Sequence, residues 1–255
     1  MQMTYNHRTT YGLIFFASYT YSKFLTNAGD ALGWSSINSG GASIRNYYDL
    51  KADRTVDATD VPQSLVLNYV YELPIGRGKK FGGGMNAAAD AVAGGWQFSG
   101  ITHWQKGFPL SIGNGGMNNA SVWGGNQHAT FTGASFAPTA PCTMKYCIFN
   151  PLAFAKSPAL PSGAATSAQI AATFGNVPRY MSNLRAPGYV DEDLGIQKWF
   201  NIPQKFRLQF TAQLFNAFNH ANFTSPDSGI GDAIFGESGN TMGARQIQLS
   251  LRLVR

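Results

Sequence analysis

The residues of this chain best suited to chemistry are two cysteines, four histidines and a few clusters of acids. Cys142 and Cys147 have four residues between them in a Pro-flanked stretch, PCTMKYC. In an oxidising compartment such a pair is expected to be joined. A metal pair would need further ligands, and no His or additional Cys lies nearby to complete four. The candidate is therefore a local disulfide that pins a loop. His7, His103, His128 and His220 fall on separate segments without HExxH or HxH spacing, whereas catalysis needs convergent partners. Gly41 to Arg45 reads GASIR and lacks the second Gly of a nucleophile elbow. Gly76 to Gly82 reads GRGKKFG, which fits neither the dinucleotide nor the P-loop pattern. Asp191, Glu192 and Asp193 form one acidic group, and Asp49, Asp53, Asp57 and Asp60 another. Neither has the spacing of a calcium loop, so both read as solvated rim and lumen charges. The sequence supplies no catalytic, cofactor-binding or metal-ligating set, and the chain does not read as an enzyme.

Charge narrows the partners. Nineteen Lys and Arg against 13 Asp and Glu give a formal net charge of +6. Outside Arg77, Lys79 and Lys80 the cations are scattered singly, without the basic stripe that tracks phosphates, so nucleic acid is not an expected partner. Only 13% of residues are charged while 13% are aromatic and 29 are Gly, against roughly a quarter charged in an ordinary soluble domain. That composition suits a chain with lipid on one face. Mean hydropathy is −0.14, and apolar runs such as Leu13 to Ala17 fall far short of the roughly 18 residues of a membrane helix.

The elements that must position these residues are strands. From Lys205 onward, Phe206, Leu208, Phe210, Ala212 and Leu214 alternate with Lys205, Arg207, Gln209, Thr211 and Gln213. The last segment repeats the pattern, with Ile247, Leu249, Leu251 and Leu253 opposed by Gln246, Gln248, Ser250 and Arg252. Period two puts one set on each face of a strand, and a helix would scatter both. Counting weaker examples, the expected strands are approximately 1–8, 12–24, 62–73, 95–109, 187–201, 205–218 and 244–254. Phe206, Leu208, Phe210, Leu214, Ile247, Leu249, Leu251 and Leu253 are the expected lipid-facing residues. Tyr19, Tyr21, Tyr69, Tyr71, Trp96, Trp104, Trp199 and Phe218 fall toward strand ends, where amphipathic rings meet headgroups.

Connection lengths alternate as well. Thr9 to Tyr11 and Ile202 to Gln204 are tight turns, and Pro74 to Gly94 is of medium length, with Met85 to Val92 able to form two turns of helix. Leu25 to Val61, Leu110 to Ala186 and His220 to Gly243 are long, rich in Gly, Asn, Ser and Ala, and poor in strand pattern. Outer-membrane barrels join their strands by short periplasmic turns and long external loops, whereas compact soluble domains seldom carry such loops. Seven strands are an odd number, and a closed bacterial single-chain barrel needs an even one, so this stretch should not close alone. Met1 to Arg8 has no apolar core of the kind a signal peptide needs, which places the expected export signal upstream.

Several segments together resemble the carboxy-terminal barrel of TonB-dependent receptors, in particular the Oar-like group with a carboxypeptidase-regulatory-like domain. They are ASYTYSK at Ala17 to Lys23, YDLKADR at Tyr48 to Arg54, YELPIGRGKKF at Tyr71 to Phe81, GGWQFSGI at Gly94 to Ile101, FNAFNHANF at Phe215 to Phe223 and RQIQLSLRL at Arg245 to Leu253. The resemblance implies an all-β, antiparallel transmembrane β-barrel of about 22 strands, of which this chain supplies about the last third. It also implies a plug, energising through TonB, and uptake of a large external ligand. The plug, regulatory-like domain and TonB box have no counterpart in these residues. The chain departs from the resemblance at Leu253, Val254 and Arg255, where such barrels commonly end in an aromatic residue.

The expected partners are outer-membrane lipid, the remainder of the barrel and plug, the TonB system through the part not present, and an external ligand. Trp34, Tyr47, Tyr48, Trp123 and Tyr146 are candidate ligand-surface aromatics that either stack on that ligand or staple loops together. Two other readings remain open at this point: an adhesive or structural surface protein on the same barrel, and a soluble secreted β-sandwich such as a lectin or carbohydrate-active protein.

Overall fold

The computed structural model describes residues 1–10, 12–27, 51, 54–114, 128–138, 146–158, 166, 168–169, 173–202 and 206–255. Seven long strands form one sheet: β1 (Gln2–Arg8), β2 (Leu13–Tyr21), β3 (Gln63–Glu72), β4 (Trp96–Gln105), β5 (Tyr189–Ile202), β6 (Phe206–Phe215) and β7 (Gln246–Val254). Their spatial order is their chain order and every neighbouring pair is antiparallel, so the sheet is an uninterrupted meander. A single sheet of this kind is not the two packed layers of a β-sandwich.

The strand lengths suit a bilayer. β3 and β4, of 10 residues each, rise about 33 Å, or about 25 Å along the membrane normal at a tilt near 40°. Among the described residues no helix is long and apolar enough to cross a membrane.

Register sorts the side chains into two faces. Phe210 stands opposite Leu251 on one side and Lys198 on the other; Leu208 opposes Leu253, and Leu214 opposes Ile247. Carried across the ladders, this face collects Leu194, Ile196, Phe200 and Ile202 of β5, Trp96, Phe98 and Trp104 of β4, Leu65, Leu67, Tyr69 and Tyr71 of β3, and Leu13, Phe15, Tyr19 and Tyr21 of β2. The opposite face carries Gln209, Thr211, Gln213, Gln248, Ser250, Gln97, Ser99, His103, Asp191 and Asp193.

At one end the connections are short. Thr9 to Leu13 is closed by the Thr9 amide on the Leu13 carbonyl at 2.8 Å and by the Leu13 amide on Thr9 Oγ1 at 3.0 Å. Between β3 and β4 a short helix, α1 (Ala87–Ala93), starts where Asn86 accepts from the Ala89 amide at 2.8 Å. Asp90 on that helix accepts from the Arg77 amide at 2.7 Å, which ties the GRGKKF turn to it.

At the other end the long loops are not the patternless segments their composition suggests. They carry four two-stranded ladders, pairing Leu25–Thr26 with Thr55–Val56, Pro109–Leu110 with Met181–Arg185, Thr130–Phe131 with Phe154–Ala155, and Tyr146–Cys147 with Glu237–Ser238. They also hold the molecule's buried apolar cluster: Leu110, Ile112, Ala129, Phe149, Ala153, Phe154, Val177, Met181, Leu184 and Phe235. Every one of these lies between β4 and β5 or between β6 and β7. Hydrophobic burial thus concentrates in a cap over one rim of the sheet, while the sheet leaves its apolar side uncovered.

Candidate functional site

The features that bear on function are the apolar face, the rim and cap built from the long loops, and the polar face. Phe206, Leu208, Phe210 and Leu214 share the apolar face with Ile247, Leu249, Leu251 and Leu253 by direct cross-strand pairing. The four residues of β7 are the most open, at 60–68% exposure, because β7 is an edge strand.

Within the seven strands this face carries two charged groups, both on β5, and each is satisfied differently. Lys198 is only 2% exposed. Its Nζ donates to the Val92 carbonyl at 2.9 Å and the Gly94 carbonyl at 2.6 Å, where α1 ends, and lies over the rings of Trp96 and Phe200 at 5.0 and 5.1 Å. A cation here meets the negative end of the helix and two ring faces. Glu192 accepts from the Tyr69 hydroxyl at 3.2 Å. Tyr69 is on β3 and Glu192 on β5, so the ring must cross β4, and it does so over Gly100. A Cβ at Gly100 would fall onto the Tyr69 ring. Sequence reasoning placed Glu192 among solvated rim and lumen charges; the register instead puts it on the apolar face, opposite Thr102. Asp191 and Asp193, by contrast, do lie on the polar face.

At the rim, Asp60 is buried rather than solvated, its side chain 1% exposed. Arg185 Nη2 meets Asp60 Oδ2 at 2.6 Å, Arg185 Nη1 donates to the Asp60 and Gly107 carbonyls at 2.8 and 3.2 Å, and Asp60 Oδ1 accepts from the Phe24 amide at 2.6 Å. This one pair locks the first long loop to the second. The FNAFNHANF segment ties the third long loop to β5. Asn216 and Asn219 adopt φ of 47° and 53°, a left-handed conformation that Asn tolerates better than most residues. The Asn216 side chain donates to the His220 and Gly243 carbonyls at 3.0 and 3.2 Å. β5 outruns β6 at this end, and Asn222 takes the vacant ladder position: its Oδ1 accepts from the Val190 amide at 2.9 Å and its Nδ2 donates to the Val190 carbonyl at 2.8 Å.

Within the cap, Tyr146 stacks on Phe223 at 4.6 Å and 11°, joining the second loop to the third. Phe149 meets Phe154 and Phe235 edge-on at 5.5 and 5.1 Å. Gly236, at φ 88°, allows the third loop to pass against Phe149, whose carbonyl a Cβ would approach to 2.8 Å. Cys147 is disulfide-bonded. Cys142, Trp34, Tyr47, Tyr48 and Trp123 lie outside the described residues. Tyr146, stacked on Phe223, acts as a loop staple.

The polar face holds a recess of about 400 Å³ in which Ile14, Phe16, Val70 and Ile101 meet Asn68, Asp193 and Gln213. Trp199 is on this face too, under the Arg207 guanidinium at 4.5 Å, and not on the side expected of a headgroup anchor. Phe218 lies beyond the end of β6. The histidines are dispersed: His7 stacks on Tyr5, His103 meets Tyr189 edge-on, buried His128 has Nδ1 2.9 Å from the Val177 carbonyl, and His220 is held at the Asn216 turn. Among the described residues no three His, Cys, Asp or Glu gather as a metal site.

An antiparallel meander of membrane-crossing length, apolar on one face, polar on the other, short-turned at one end and capped at the other, is the wall of a transmembrane β-barrel. The family model for the outer membrane β-barrel domain matches residues 1–248, and the chain belongs to that family. It is an outer-membrane protein. Comparison with curated proteins and with solved structures finds no match.

Proposed function

We propose that this chain forms part of the wall and the external ligand surface of a TonB-dependent receptor of the Oar-like group, which takes up a ligand too large for porins. The apolar face meets outer-membrane lipid, the polar face lines the lumen, the capped rim faces outward, and the α1 end faces the periplasm. The observation that carries the reading is the cap. Loops that merely close a barrel need no core, whereas a fixed outer surface above a lumen is what capture before transport requires. The ordered resemblance segments add to it. The reading includes no reaction and no cofactor; its partners are lipid, the rest of the barrel with its plug, the TonB system and the ligand.

The test compares three strains of the producing bacterium: intact, lacking this protein, and lacking TonB. Growth is followed on nutrients supplied in forms too large for porins. Loss of growth on the same nutrient in both mutants is the expected result. Unchanged nutrition with lost surface attachment in the strain lacking this protein would assign it to adhesion instead.

A further inference from the structure

Where the apolar face meets the loops there is a second recess, of about 630 Å³. Tyr21 and Trp104 line it from below, and Lys23, Lys106, Ser182 and Asn183 are among the residues that complete it. Register fixes which side of the wall it opens on. Tyr21 stands opposite Gln63, and Trp104 opposite Leu65, all on the apolar face. The Lys106 amide donates to the Gln63 carbonyl at 3.0 Å, which extends the β3–β4 ladder by a position and sets Lys106 in the row above Trp104 on the same face. Lys23 follows two positions after Tyr21.

The charge in this recess is unbalanced. Its carboxylate, Asp60, is already held by Arg185 at 2.6 Å. Neither Lys23 nor Lys106 takes part in an ion pair among the described residues. Both are exposed. Two ammonium groups thus stand immediately above an aromatic row, at the level where an outer-leaflet lipid turns from acyl chain to headgroup. Long Lys stems lie along apolar surface and hold their charge at that level, and paired cations there attract anionic headgroups. A ligand arriving from the medium would not need the recess to continue downward into the lipid-facing wall, as this one does.

We propose that this recess holds the phosphate-bearing headgroup of an outer-leaflet lipid, with Lys23 and Lys106 on the phosphate and Tyr21 and Trp104 beside the upper acyl region. The proposal rests on the capped rim facing outward.

The experiment extracts the full chain from native outer membrane in mild detergent and measures lipid phosphorus retained per chain during titration with detergent. Lys23→Gln with Lys106→Gln should weaken retention about 30-fold, while Lys23→Arg with Lys106→Arg retains lipid as the wild type does. Lys79→Gln with Lys80→Gln removes the same charge at the other end and should change nothing. Inorganic phosphate at matched concentration should not displace the lipid. Equal retention in the Gln pair at the rim, equal loss in the Lys79 and Lys80 pair, or displacement by free phosphate would each overturn the proposal. Labelling of Ala134→Cys by an impermeant reagent on whole cells separates the two readings. No labelling overturns the outward orientation and the site together; labelling with unchanged lipid retention overturns the site alone.

Discussion

Glu192 shows how a charge survives on the apolar face of the wall. A carboxylate in that position is unfavourable unless a donor reaches it. The donor comes from two strands away because β4 has no side chain at Gly100 to block the Tyr69 ring. Tyr69→Phe keeps the ring and removes the donor, and is expected to lower stability by about 1–3 kcal/mol. If the two groups interact, Tyr69→Phe combined with Glu192→Gln loses less than the sum of the single changes. Unfolding from lipid vesicles measures the cycle; losses that add within about 0.5 kcal/mol would show that the hydroxyl and the carboxylate are independent. None of this was legible in the sequence. Alternation on β6 and β7 is strict enough to assign faces residue by residue, but β5 mixes acids, Gly, Lys and aromatics on both faces, and its register came only from its neighbours. Lys198 was hidden for the same reason, since its partners are carbonyls at the end of a helix about a hundred residues earlier.

Elements were legible wherever a local signal fixes them. The expected strands correspond to β1 through β7, and the MNAAADAV stretch to α1 with its Asn86 cap. The cap was not, because its core joins residues as far apart as Phe149 and Phe235 through short ladders of two residues that leave no period to read. Asp60 illustrates the point: as one of four acids in a loop it looked solvated, and only the arrival of Arg185 from a loop over a hundred residues later buries it. Removing one member of such a pair strands the other. Arg185→Met is therefore expected to destabilise the rim by about 3–5 kcal/mol, while Asp60→Leu with Arg185→Met should recover much of the loss. Protease cutting of the loops on whole cells reads this out. Cutting of Arg185→Met no faster than wild type would mean that the loops are held elsewhere, by Tyr146 on Phe223 or by the cored cluster.

At the scale of the whole molecule the direction of the outermost strands sets the limit on what this wall can do. β1 and β7 are the two edges of a seven-stranded meander, and an odd number of antiparallel strands leaves its edges running the same way. Closing the sheet on itself would require a parallel pair, which the even strand numbers of bacterial single-chain barrels avoid. A second copy does not help: joining two copies edge to like edge, antiparallel, would turn one of them upside down and put the two caps at opposite ends of the wall. On the proposed function, in which the rest of the barrel is a partner, an odd number of further strands completes the wall formed by the seven strands among the described residues. That arrangement holds β1 and β7 apart in the finished barrel. Thr4 and Ser250 lie mid-strand on the polar face of the two edges, and a disulfide would need their Cα atoms within about 7 Å. With Thr4→Cys and Ser250→Cys together, oxidation of native membranes should leave both thiols free, while Ser18→Cys paired with Thr4→Cys, cross-strand neighbours in the ladder, should crosslink. A Thr4–Ser250 crosslink at comparable yield would mean that the sheet closes on itself, and the wall would then enclose no lumen wide enough for a plug or a large ligand.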